Sequence, residues 1–587
     1  MKEAAPREWI LRSPDPDVVR ELSDRHGLPP AASKVLVNRG IVDPGDVERF
    51  LSGTLSDLPD PSLLKDADKA AARIASAGSR GEPLLIYADY DADGATGAAC
   101  LHLFLKRVFP DLPVRIQQND RRKDGYGLQP HVLAAAAREG FRLVVTVDCG
   151  ISDVAAVREA ARDGVEVIVT DHHLPGDTVP EAFAIVNPMQ PGCAFPGKEM
   201  AGVGVAFLLA CALRKAVREI AGFGNLPEPP LRPYLDLVAL GTVADMAPLR
   251  GGNRLLVREG LREIRKSPRP GIEALFAASG VPHAAATETD LGFRVGPRLN
   301  AAGRVGDATR SSRILVSESR DDAARLAREL NEDNALRQRE EERIVVAVEA
   351  ALAAAGEIPP AIVLSDPAWS AGVLGIVASK VLERYGRPVV LLQEEDGGAK
   401  GSCRSVEGFH IVSALSTLSH LLTRFGGHAQ AAGLALPLGH LDAFRDGLSE
   451  IAGRHARETP FVRRRTIDAQ LRVAEITPDL LSDLDRLRPF GVGNEEPLFL
   501  LPDVRVAAVS RIGAGGRHLR FAVEEDGRRL SGVAFRRTEI PVSAEGRSDL
   551  LFALHENVYR GARSLQLLLR DARPAGGPVL CGGTPPG

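Results

Sequence analysis

The stretch Leu84-Leu85-Ile86-Tyr87-Ala88-Asp89-Tyr90-Asp91-Ala92-Asp93-Gly94 decides the fold. Its apolar run predicts a buried strand that stops abruptly at three alternating acids and a glycine. A helical pattern follows, with Leu101, Leu105 and Val108 on one face. Acids at every second position of an extended chain project to one side and repel each other there. A helix-capping turn accounts for one such acid. Three after a buried strand point to a cluster neutralised by cations.

The same punctuation recurs downstream of this stretch. From Asp66 onward strands and helices alternate, which predicts an α/β fold with a parallel sheet. Leu143 to Val147 reads as a strand ending at Asp148-Cys149-Gly150, and Val165 to Thr170 as one ending at Asp171-His172-His173. A helix over 231–240 leads into Gly241-Thr242-Val243-Ala244-Asp245. Open α/β sheets place ligands at the carboxyl ends of their strands. Asp91, Asp93, Asp148, His172 and Asp245 therefore form one candidate site. Hard oxygen donors with a single imidazole suit Mg²⁺ or Mn²⁺ better than zinc. Several carboxylates together can hold two ions about 3.5–4 Å apart, an arrangement that serves phosphoryl hydrolysis.

The chain of 587 residues has room for three or four domains. Its net charge of -4 neither announces nor excludes a nucleic-acid partner, because an acidic metal cluster offsets basic grooves elsewhere. Six scattered cysteines without a CxxC spacing suggest neither a disulfide frame nor a zinc site, and no apolar stretch has membrane length. A cytoplasmic protein with no membrane contact is expected. Residues 1–65 read as an N-terminal cap, 66–265 as the catalytic unit, and 266–358 as a linker region. The linker carries a helix from Asp321 to about Ala355 that looks polar all round and is expected to bridge two domains. A smaller α/β unit over 359–454 and a small β-barrel over 460–572 follow, and the tail 573–587 is expected to be disordered.

Two further motifs are weak. Gly202-Val203-Gly204 lacks the remainder of a dinucleotide site and reads as helix packing. The loop from Gly192 to Lys198 has Glu199 where a P-loop needs a hydroxyl, so ATP-driven chemistry is not expected. Basic residues gather near glycines at Arg121-Arg122-Lys123, at Arg298 and Arg304, and at Ser402-Cys403-Arg404-Ser405. Guanidinium forks beside backbone amides suit phosphate.

The motifs DYDADG at 89–94, VDCG at 147–150, TDHH at 170–173, GTVAD at 241–245, GPRLNAAGR at 296–304, SCRS at 402–405 and GGHAQAAG at 426–433 resemble those of the DHH phosphoesterase superfamily. Within it, the chain is most similar to the RecJ single-strand-specific exonucleases, over about 40–570. The resemblance implies a parallel-sheet DHH domain and a smaller α/β DHHA1 domain joined by a long helix, plus a C-terminal OB-like barrel. It also implies two metal ions, Mn²⁺ or Mg²⁺, at Asp91, Asp93, Asp148, His172 and Asp245, with Asp148 bridging and Asp89 and His173 lining the site. Ser402, Arg404 and His428 would hold the DNA end, with Arg121 and Arg304 near substrate phosphates. Gln118-Asn119 depart from the family's usual apolar-proline pair, which leaves Arg121 and Arg122 as alternatives there.

The implied activity is 5′-to-3′ hydrolysis of single-stranded DNA in repair and recombination. A monomer is expected, with single-strand-binding protein and a helicase as candidate partners. The alternatives are a DHH-DHHA1 phosphodiesterase for short RNA or cyclic dinucleotides, and a non-catalytic single-strand-binding scaffold. The barrel argues against the first and the intact ligand set against the second.

Overall fold

In the computed structural model, residues 7–120, 124–220, 222–224, 227–266, 268–559 and 562–582 are described. The opening stretch forms the strand Leu84–Ala88, paired in parallel with Val114–Gln118 on one side and Leu143–Val147 on the other. Glu166–Thr170 and Ala184–Val186 extend the sheet in the same direction. Leu84, Ile86 and Ala88 point into a core shared with the helices Ala92–Val108, Gly202–Ile220 and Leu235–Ala244. Leu85 and Tyr87 point the other way, against the helices Pro130–Arg138 and Val154–Arg162. Cover on both faces explains why this strand is apolar throughout instead of alternating. All five strands run the same way, so their acid-bearing ends reach one edge of the sheet.

The second α/β unit has the spatial order Arg424–Gly427, Ala431–Pro437, Gly398–Arg404, Val389–Glu395, Ile362–Asp366. Only the last pair is parallel; the rest is antiparallel. The helix Ala371–Tyr385 packs on one face and Leu441–Glu458 on the other.

Three expectations from sequence need correction. The connecting helix Arg320–Ala355 is not polar all round: Ala323, Leu326, Leu330, Asn334, Arg337, Glu341, Ile344, Val348 and Leu352 are buried at three- and four-residue steps. The polar members of that stripe are paired, Arg337 with Glu341 and Glu341 with Lys380 of the neighbouring helix. Counting charges along the helix hid a seam whose buried charges neutralise one another.

The N-terminal segment is not a separate cap. The strand Arg7–Arg12 lies in parallel between Arg463–Ile467 and Val579–Gly582. Val35, Leu36 and Val47 share the core of the barrel domain with Phe499, Phe521 and Phe552. The Pro/Gly-rich tail is likewise ordered through Gly582, because Arg573 donates to the carbonyls of Gly577 and Pro578 (2.7 and 2.6 Å) and the final strand pairs with Arg7–Arg12. Composition alone could not reveal a strand partner more than 560 residues away. The barrel consists of Phe499–Ile512, His518–Glu525, Arg528–Ala534, Ala562–Pro574 and Arg547–Tyr559, and pairing of the first with the last closes it.

Candidate metal centre and strand cleft

Backbone amides hold the acids in place. Asp91 caps the helix Ala92–Val108, its Oδ1 accepting from the amides of Asp93 and Gly94 (2.9 and 3.0 Å). Asp93 is buried, and its two oxygens accept from Gly202 and Val203 (2.6 and 2.8 Å) at the start of the helix Gly202–Ile220. Carboxylates at helix N-termini are stabilised by unpaired amides and the aligned peptide dipoles. The glycine pair read as packing therefore also seats a candidate ligand. A Cβ at Gly202 would stand 2.8 Å from Asp148 Cβ and 3.0 Å from Asp93 Oδ2, so only glycine allows this approach.

Asp148 follows its strand with φ of 63°, the left-handed region that costs an aspartate roughly 1–3 kcal/mol. Its amide donates to the Thr170 carbonyl of the next strand (3.0 Å). Gln118 donates from Nε2 to the Asp89 carbonyl (2.8 Å), and Asn119 accepts from Tyr87 at 2.5 Å. The polar pair at 118–119 thus braces the acid-bearing loop.

His172 Nε2 lies 3.0 Å from Asp148 Oδ1 and 3.8 Å from Asp93 Oδ2. The Asp148 and His172 atoms are both buried, and neither makes a hydrogen bond. Burial, with the neighbouring His173 charge, lowers His172 to about 4, so its imidazole is neutral at neutral pH as a metal ligand must be. Asp171 organises the pair. Its Oδ1 accepts from the amides of His172 and His173 and from His173 Nδ1 (2.7, 3.1 and 2.8 Å), and its Oδ2 from the Ile151 amide (2.9 Å). Burial would depress His173, but this carboxylate outweighs it and raises the imidazole above its ordinary value. Tyr126 brings its hydroxyl within 3.2 Å of His173 Nδ1.

The ligand atoms fall into groups that each lie within 4.8 Å: Asp89 with Asp91 and Asp148; Asp93 with His172 and Asp245; and Asp148 with His172 and His173. Asp148 belongs to two of them. Burial and the charge of Asp91 hold Asp93 up at about 7. Burial, then Asp93 and Asp91, hold Asp245 at about 9. Asp148 stands well above the carboxylate range through burial and then the charges of Asp93, Asp91, Asp89 and Asp245. A buried nest of acids that oppose one another's ionisation, around a neutral imidazole whose Nε2 makes no hydrogen bond, fits hard divalent cations.

Beside this centre, a cleft of about 880 Å³ separates the two α/β units. Arg304, Asp124 and Gly125 line one wall; Ser370 to Gly372, Lys400 to Ser402 and Arg424 to Gly426 line the other. Arg304 donates to the Gly372 carbonyl (3.0 Å) across the gap. Ser370 to Gly372 begin the helix Ala371–Tyr385 at the cleft, where the Ala371 amide donates to Gln393 Oε1 (3.1 Å). Ser402 and Arg404 share one face of the strand Gly398–Arg404: a Cβ at Gly375 would meet Ser402 Oγ at 3.4 Å and Arg404 at 2.8 Å.

Residues 83–242 match the DHH family N-terminal domain, 359–454 the DHHA1 domain and 467–571 the RecJ OB domain. The single-stranded-DNA-specific exonuclease RecJ of Dickeya dadantii is 39% identical over 95% of this chain and 98% of that protein. The chain belongs to the RecJ family. The Escherichia coli RecJ is 37% identical over 93% of this chain and 96% of its own length. The crystal structure of Thermus thermophilus RecJ with Mn²⁺ superposes with a TM-score of 0.82 at 33% identity, covering 99% of this chain and 81% of that one.

The RecJ motifs are thus brought together in space. Asp89, Asp91, Asp93, Asp148, His172, His173 and Asp245 meet at one sheet edge, with Asp89 inside a ligand group and not merely at its border. Arg304 and Ser402 face the cleft. Arg404 leans on the adjoining helix, donating to Ser379 Oγ (3.2 Å) and to the Cys403 carbonyl (2.8 Å). His428 is exposed at a turn, its amide donating to the Ala431 carbonyl (2.8 Å), and is not among the residues lining the cleft. Arg298 points elsewhere, donating to Asn331 Oδ1 (3.1 Å) and the Ala278 carbonyl (3.2 Å). Arg121 lies outside the described residues. Sequence reasoning missed Asp171, Gly202 and Asn300, whose Oδ1 accepts from the Ala92 amide (2.7 Å) inside the acid loop. Each stands within a motif already quoted, but its role lies in holding a neighbour.

Proposed function

We propose that the chain is a 5′-to-3′ exonuclease hydrolysing phosphodiester bonds of single-stranded DNA with two divalent ions, Mn²⁺ or Mg²⁺, in repair and recombination. The observation that carries this reading is the set of three ligand groups linked through Asp148 and His172, beside a cleft bearing cations and a helix N-terminus. In it, Asp89, Asp91 and Asp148 would hold one ion and Asp93, His172 and Asp245 the other, with Asp148 Oδ1, 3.0 Å from His172, next to both sets. Bound there, the ions supply Lewis acidity to the phosphoryl oxygens and a nucleophilic water at neutral pH. Asp171 fixes the ring of His173, which is half exposed and free to donate to a phosphoryl oxygen. Gly202 and Val203 keep Asp93 in register with Asp148.

Terminus recognition falls to the cleft. A 5′-phosphate carries anionic oxygens that Ser402, Arg404, Arg304 and the Gly372 amide at the helix start can meet, and the arginine fork suits it bidentately. The closed barrel extends the path of the strand. Single-strand-binding protein and a helicase are the protein partners in this reading of a cytoplasmic monomer; among the described residues, no helix is long and apolar enough to cross a membrane.

An oligonucleotide labelled at either end, digested with and without Mn²⁺, tests the proposal. Release of labelled mononucleotide from the 5′ end only, and only with metal, is the expected result. Loss of label from the 3′ end first would reject the polarity, and digestion in chelator would reject the metal.

A further inference from the structure

Phe293 is the most exposed large apolar side chain among the described residues, with 80% of its surface open. It sits in a π-helical turn, Leu291–Val295, that runs directly into the helix Gly296–Val305. Such turns recur at functional sites because they re-aim side chains that regular helical spacing would place elsewhere. The next residues on the same face, at three- and four-residue steps, are Pro297, Asn300 and Arg304.

Two of these are already placed. Asn300 touches the acid loop through the Ala92 amide, and Arg304 lines the cleft. The other faces are occupied by protein: Leu291, Val295 and Leu299 are buried, and Arg298 is tied to Asn331 and Ala278. Phe293 thus begins a stripe of this helix whose further members, Asn300 and Arg304, reach the acid loop and the cleft. That stripe passes the metal centre and ends in the cleft, about 16 Å away at 1.5 Å per residue.

The turn also packs on the end of the helix Leu235–Ala244, which delivers Asp245. A Cβ at Gly292 would stand 3.4 Å from Val243, and one at Gly296 3.1 Å from Ala244. Met246, next to Asp245, has a left-handed φ of 62° and is 68% exposed. An aromatic ring and a thioether are therefore exposed beside the helix end that delivers Asp245. Burying either would be favourable, and nothing in the described structure covers Phe293.

Resting on the functional reading above, we infer that Phe293 is a stacking platform for a base on the 3′ side of the scissile bond, with Met246 flanking it. A strand whose 5′-phosphate lies near Ser402 and Arg304 and whose first linkage lies at the acids must continue past Asn300 toward Phe293. A nucleotide a few positions from the 5′ end, the second or third, would then lie over the ring. A base inside a duplex has both faces covered by its neighbours, so this platform also favours unpaired DNA.

The test is a cycle between the protein and the strand. Affinity is read by fluorescence anisotropy with Ca²⁺ in place of Mn²⁺, on 5′-phosphorylated oligonucleotides carrying one abasic nucleotide at positions one to eight. The wild type should lose about tenfold in affinity when position two or three is abasic, the size of one base–aromatic stack. Phe293→Ala should lose about the same on the intact strand, and nothing more when that base is removed; Phe293→Trp should restore the sensitivity. If the two losses multiply, or if the variant binds the intact strand like the wild type, the platform is refuted. Hydrolysis by the wild type in Mn²⁺, measured alongside, tests the exonuclease reading separately, because the affinity cycle does not depend on turnover. Circular dichroism of Phe293→Ala checks the fold, which an exposed ring does not support.

Discussion

The two walls of the active cleft are built on opposite principles. The metal-bearing wall is buried, acidic and held by backbone: amides of Asp93, Gly94, Gly202 and Val203 seat the carboxylates, and Asp148 sits in a strained conformation that its surroundings impose. The facing wall is open and relies on side-chain tips, with Lys400 paired to Glu395 and Arg404 resting on Ser379. A reacting phosphate needs ligand positions fixed to a fraction of an ångström, because misplacement by about 1 Å can cost a hundredfold in rate. A terminus that must enter and leave after every cut needs contacts that are strong but adjustable.

The largest effects should therefore come from the buried wall. Asp148→Ala removes the carboxylate shared by two ligand groups and should lower hydrolysis at least a thousandfold, while strand affinity stays within a few-fold. Gly202→Ala is the sharper probe, since it changes no ligand. Its methyl would press on Asp148 and Asp93, and the rate should fall about a hundredfold with the overall fold intact. If Gly202→Ala were as active as the wild type, the fixed wall would be less fixed than the geometry indicates.

On the open wall the losses should be smaller and substrate-dependent. Arg404→Ala should cost about ten- to a hundredfold on 5′-phosphorylated strands, equivalent to roughly 1.5–3 kcal/mol for a charge-assisted bond, and much less on 5′-hydroxyl strands. Arg404→Lys keeps the charge but loses the fork and should fall between. Equal losses on both substrates would make Arg404 a support for Ser379 and its helix.

Legibility followed the same division. The acid loop could be read because a buried strand ending in several carboxylates is costly without cations, and that cost is visible in a single line of sequence. The cleft could be read only as basic residues near glycines: Arg298 and Arg304 look alike in GPRLNAAGR, yet one is folded onto Asn331 and the other faces the cleft. Which face of a helix carries a residue depends on packing far along the chain. The pairing of Arg7–Arg12 with Val579–Gly582 was beyond reach for that reason, and so was the buried stripe of the connecting helix.

The pH response separates the walls again. An acid whose folded-state value is raised contributes stability that is present below its ordinary value near 3.8 and is lost as pH rises through the folded value. With Asp93 at about 7 and Asp245 at about 9, the metal-free protein should lose stability between pH 5 and pH 9. Divalent ions replace those protons, so Mn²⁺ should raise the melting temperature several degrees more at pH 8 than at pH 6. The smallest effect on chemistry belongs to the far end of the molecule. Deleting residues 1–12 removes Trp9, which is buried and donates to Asp571 (3.3 Å), so thermal stability should drop. Cleavage of short strands by the protein that remains folded should stay within about twofold.

The central claim is that two ions meet at Asp148, and titration calorimetry with Mn²⁺ at pH 8 tests it most directly. The wild type should bind two ions per chain, and Asp148→Asn should bind at most one tightly and cut no DNA. Two tightly bound ions in Asp148→Asn, or a single ion in a fully active wild type, would contradict the account.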